Sequence, residues 1–111
     1  MVEWNPHPNA PISEQFRLVA KKWVDAESAA SLLEESKSAF LAKLMTNQGD
    51  MPVNRAEMAV KASAQWGDYI EKMCRSRSQA ALLKIQLEYL RMKFSEWQSA
   101  EASKRAEMRL T

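Results

Sequence analysis

Ile12, Phe16, Val19, Trp23, Ala26, Ala30, Leu33, Phe40 and Leu44 succeed one another in steps of four and three, and only Lys37 interrupts the ladder. A helix lines such residues up along one seam, so the pattern specifies a long helix pressed lengthwise against another helix. Val24, Leu32, Leu41 and Met45 widen the apolar stripe beyond a minimal seam, which implies contact with more than one helix. Lys37 reads as a side chain whose stem is covered while its ammonium reaches water.

Breakers are scarce and unevenly placed. Pro6, Pro8, Pro11 and Pro52 are the only prolines, Gly49 and Gly67 the only glycines, so the chain after Pro52 holds a single breaker. A sheet protein needs frequent turns, and this distribution argues for helices. Residues 1–10 read as an extended N-terminal arm, because proline disfavours helix at its own position and at the one before. The rest, residues 11–111, reads as an all-α, long antiparallel helical hairpin of coiled-coil type. A first helix of about residues 11–46 is capped by Asn9 or Ser13. A turn over 47–54 uses Gly49 to close the first helix and Pro52 to stop its propagation. Asn54 with Glu57 then resembles a capping box opening a second helix of about residues 55–110.

The second helix has its own seam: Ala59, Ala62, Trp66, Tyr69, Met73, Ser76, Ala80, Leu83, Leu87, Leu90, Phe94 and Trp97. Arg75-Ser76-Arg77-Ser78 is its weakest stretch. A break there, with Ser78 capping a third helix, would give a monomeric three-helix bundle, but no proline or glycine enforces one and continuity is expected.

A fold about residue 50 sets Trp23 near Ser78 and Ile12 near Tyr89, so the first helix ends beside Leu90. Phe94 and Trp97 are then left without a partner on it. Leu82, Ile85, Tyr89 and Met92 form a second stripe on another face of the same stretch. One antiparallel neighbour cannot cover both, and exposed apolar patches mark interfaces. The expected self-association surface is Leu82, Ile85, Leu87, Tyr89, Leu90, Met92, Phe94 and Trp97, most simply in a two-fold dimer that buries a four-helix core.

The chain is expected to carry no enzyme site, metal or cofactor. His7 is the only histidine and has no Cys or carboxylate at ligand spacing. Cys74 is the only cysteine, which rules out an intrachain disulfide, and it lacks a base to activate it as a nucleophile. Glu34-Glu35 and Glu101/Glu107 are paired acids without a cleft to flank. No apolar run is long enough to span a bilayer, and the N-terminus lacks the pattern of a signal peptide, so a cytoplasmic protein is expected.

Nucleic-acid binding is the rival function. Net charge is only +2, but residues 1–50 carry a net −2 and residues 51–111 a net +4. Lys72, Arg75, Arg77, Arg91 and Lys93 are its candidate contacts, and aromatics such as Tyr89 its stacking groups. Acidic residues interleave these cations, which favours a solvated helix face instead.

The C-terminal stretch Phe94, Trp97, Gln98, Ser99, Glu101, Ala102, Ser103, Arg105, Ala106, Glu107, Met108, Arg109, Leu110 resembles the endings of small uncharacterised helical proteins of tailed phages and prophages. In those endings a tryptophan and a short polar link precede a tail of the Arg-Ala-Glu-Met-Arg type. The resemblance implies a phage or prophage accessory protein acting in the cytoplasm of the bacterial host. It carries over no activity and no site. The resulting expectation is a non-catalytic structural or adaptor protein that self-associates and binds a protein partner. Its alternative is an accessory nucleic-acid-binding protein in phage replication or recombination.

Overall fold

A computed structural model describes residues 9–110. They form three helices: α1 is Ile12–Thr46, α2 is Val53–Lys61 and α3 is Ala64–Leu110, with no strand among the described residues. The described residues are all-α, a helical hairpin in which α1 pairs with the return helix α3. Residues 1–8 of the expected N-terminal arm lie outside the described residues. Among the described residues two compact units divide the hairpin: Asp25–Ala80, and residues 9–24 together with 81–110.

α1 does not begin on the cap expected for it. The Pro11 carbonyl accepts the amides of Glu14 and Gln15, each at 3.0 Å, so Pro11 itself precedes the first helical residue. Its ring presets the backbone where no amide donor is needed. Gln15 is the only buried polar residue among those described, and its Nε2 donates to the Ala10 carbonyl at 2.7 Å. A buried amide without such a partner costs stability, so this bond lets the side chain sit inside.

The far end of α1 follows the sequence closely. The amides of Gln48 and Gly49 donate to the carbonyls three residues back, and Gly49 turns the chain out at φ +80°. Only glycine adopts that conformation without steric cost.

The return arm departs from the sequence reading. It starts at Val53, not Arg55, with Pro52 extended at φ −55°, ψ 142° as its cap residue. Asn54 and Glu57 lie inside α2 and form no capping box; Glu57 instead pairs with Lys61 at 2.8 Å. The helix then breaks at Ala62-Ser63 and restarts at Ala64, while the Arg75–Ser78 stretch runs on without interruption. Ser63 makes the break. Its hydroxyl donates to the Val60 carbonyl at 2.6 Å, closing α2, and accepts the Trp66 amide at 3.3 Å, capping α3. One side chain thus satisfies polar groups of two helix ends, so no proline or glycine is required.

Within Asp25–Ala80, α1 and α3 run antiparallel around a small core. Leu44, Val60 and Trp66 are buried there, with Phe40, Leu41, Met45 and Ile70 packed against them. Phe40 lies 4.5 Å from Tyr69 and 6.4 Å from Trp66 between ring centres, both stacked. The Tyr69 hydroxyl donates to the Leu33 carbonyl of α1. Lys37 interrupts the seam at little cost, because its ammonium rests 6.0 Å above the Trp66 ring. Such a contact is worth about 0.5–1 kcal/mol at an exposed site. Ala30 and Ala80 are fully buried, as the close approach of small residues requires. Arg77 forks onto Glu34 at 3.0 and 2.5 Å and reaches Glu27 at 2.6 Å, tying α3 to α1.

In the other unit Val19, Leu83, Leu87 and Leu90 are buried, and the Arg91 guanidinium lies 5.6 Å over the Phe16 ring. Fully burying one such aliphatic chain is worth roughly 1.5–3 kcal/mol.

The pairing register differs from a fold about residue 50. Phe40 meets Trp66, and Phe16 meets Arg91, so the mirror point lies near residue 53. The reason is α2: its nine residues form a separate helix, and the return seam effectively starts at Ala64. Ile12 therefore faces Phe94 and Trp97 instead of Tyr89.

Candidate interaction surface

The eight residues expected to associate do not form one patch. At the α-helical pitch Leu82, Ile85, Tyr89 and Met92 lie about 160° round the α3 axis from Ala80, Leu83, Leu87 and Leu90. The two groups differ accordingly in exposure. Leu87 is 7% and Leu90 2% exposed, so both are consumed by the chain's own interior and are withdrawn from the candidate surface. Leu82, Ile85, Tyr89 and Met92 are 50%, 61%, 55% and 63% exposed. They form an outer stripe spaced three, four and three along one face.

Phe94 and Trp97 belong to a different place. Contrary to the expectation that they lack a partner on the first helix, they meet its start. With Ala10, Pro11, Ile12 and Ser13 they line a mainly apolar groove of about 390 Å³. A second groove of about 330 Å³ adjoins it, between Ile12, Phe16, Leu90 and Phe94. The two aromatic rings stack on each other, 5.9 Å apart and 23° from parallel. They remain 42% and 52% exposed, because α1 covers one side only. Residues 98–110 continue as helix and are exposed apart from the half-buried Glu101.

The candidate nucleic-acid contacts are dispersed. Arg77 is held by Glu27 and Glu34, and these hydrogen bonds push its guanidinium further into the charged form. The Glu34 carboxyl is held below its ordinary value of 4.5 by the same Arg77 hydrogen bonds. Arg75 pairs with Glu71. Together with Asp68 and Lys72 these two line a shallow groove of mixed sign. Arg91 lies over Phe16, and Lys93 projects from a different side of α3. No single face gathers the five cations.

Cys74 is exposed and unpaired. Among the described residues no group of three His, Cys, Asp or Glu side chains is arranged to hold a metal ion. None of the described helices is long and apolar enough to cross a membrane.

The sequence carried the signal that divides the surface, since buried and exposed members of α3 alternate by helical phase. What hid the division was the register, which decides whether Phe94 overhangs α1 or meets it. No protein-family model matches this chain, and no curated protein and no solved structure is detectably similar to it.

Proposed function

We propose that this chain is a non-catalytic structural or adaptor protein that self-associates through the outer face of α3 and binds a protein partner. The observation that carries the reading is the stripe Leu82, Ile85, Tyr89 and Met92, exposed on the side of α3 opposite its buried seam. Four half-exposed side chains amount to about 400 Å² of surface, the size of the largest apolar patch on a typical soluble monomer, which is often functional. The helix bearing them is held in place by Leu83, Leu87 and Leu90, so the stripe is presented ready-made. Resemblance of the C-terminal stretch to phage and prophage proteins supports a phage accessory role in the bacterial cytoplasm. The pairing of Arg75 and Arg77 with glutamates removes support from the nucleic-acid alternative.

Light scattering over a concentration series tests the reading. Wild type is expected above the 12.7 kDa chain mass, and Ile85→Ser with Met92→Ser is expected to return it to that mass with its helix content intact. A wild-type protein that remains at 12.7 kDa up to its solubility limit overturns it.

A further inference from the structure

We infer that the occupant of the outer stripe is the same stripe of a second copy, lying parallel and in register. This rests on the self-association reading above and adds to it an orientation, a register and a charge pair. The spacing of the stripe supplies the frame. Leu82 and Tyr89 take the a positions of a heptad, and Ile85 and Met92 the d positions. Glu88 then falls at g and Lys93 at the following e. In a parallel, in-register pair a g residue reaches the e residue five positions on in its partner. Glu88 would therefore meet the partner's Lys93, and by symmetry the same pair forms twice. Neither residue is committed elsewhere: no ion pair within the described residues involves Glu88 or Lys93.

The competing arrangement, antiparallel about the middle of the stripe, sets g beside g. It places Glu88 against the partner's Glu88, with Lys84 and Arg91 further out on the same flank, and like charges so placed repel. The parallel register also explains the limits of the stripe. Glu96 is the next a position after Met92 and Arg75 the a position before Leu82, so each end would bring like charges together. Contact is thereby confined to about two heptads.

That length sets the strength. Each copy offers about 400 Å² against the roughly 800 Å² per partner of a standard interface. Association is expected to be weak and reversible, with Kd near the micromolar range or above. It is measurable at all because α3 is already ordered by its buried seam.

Two experiments on the full chain test orientation separately from association. In a Cys74→Ser background, Leu82→Cys puts two thiols opposite each other in the parallel register. Cα separations there fit the 4.4–6.8 Å that a disulfide spans. The antiparallel arrangement separates the same thiols by about 15 Å along the axis. Mild oxidation is expected to link Leu82→Cys to itself, and a mixture of Leu82→Cys with Met92→Cys is expected to give no preferential cross-pair. In the second experiment, Glu88→Lys should weaken association about tenfold, and Glu88→Lys with Lys93→Glu should restore it.

A multimer by light scattering that cross-links only as the Leu82→Cys/Met92→Cys mixture overturns the parallel register and leaves self-association standing. Weakening by Glu88→Lys that the double swap fails to repair overturns the charge pair. A chain that is monomeric throughout overturns both this inference and the reading beneath it.

Discussion

Leu90 and Tyr89 are sequence neighbours on different faces of α3, one buried and one exposed, and truncating each should produce two different kinds of damage. Leu90 is 2% exposed and borders Ile12, Phe16 and Phe94. Leu90→Ala removes about three methylene equivalents of buried surface, or roughly 2.4 kcal/mol of transfer free energy. A cavity term usually raises such losses toward the upper part of the 2–5 kcal/mol range. Here the groove beside Leu90 is already open on one side, so neighbouring chains can settle into the vacated space and the added term should be small. The expected loss is about 2.5–3 kcal/mol, independent of protein concentration. In urea denaturation followed by circular dichroism it should appear as a lowered midpoint with an unchanged slope. Tyr89→Ala, half-exposed, should cost the monomer less than about 1 kcal/mol and act instead on association. Equal losses from the two substitutions, or a larger one from Tyr89→Ala in dilute protein, would refute the assignment of Leu90 to the buried face and Tyr89 to the exposed one.

Two further outcomes follow from the break and from the ion pairs. Ser63→Ala removes the group that closes α2 and caps α3, and should cost about 1–2 kcal/mol in the same urea assay; no loss would mean that the helix interruption does not depend on Ser63. The Glu34 carboxyl titrates below its ordinary 4.5 because it accepts hydrogen bonds from Arg77. Its contribution to stability is therefore fully present above about pH 4.5 and is lost as pH falls through the lowered value. The stability difference between wild type and Arg77→Gln should accordingly be visible at pH 7 and shrink in acid, and the Glu34 resonance of Arg77→Gln should titrate at the ordinary position. A difference that persists once the Glu34 resonance shows it protonated would mean that Arg77 acts by packing rather than by charge.

Much of the fold was legible in the residues themselves. Ile12 through Leu44 announced α1 almost to its ends, because a helix that buries one face must repeat its apolar residues at the helical period. Gly49 marked the exit from α1 because its φ of +80° strains any other residue. The exposed stripe Leu82, Ile85, Tyr89 and Met92 was visible for the same periodic reason. The break at Ser63 was not. A serine inside an apolar helical pattern is common, and only its simultaneous bonds to Val60 and Trp66 distinguish a cap from a tolerated polar residue.

Local periodicity, set by 3.6 residues per turn, thus determined which residues of each helix share a face, and so that the chain is a helical hairpin with a second apolar face on its return arm. Only tertiary structure decided which residue of α1 meets which residue of α3. That register depends on how much chain the connection consumes, and here a nine-residue helix ending at one hydroxyl moved the mirror point and brought Phe94 and Trp97 onto the start of α1.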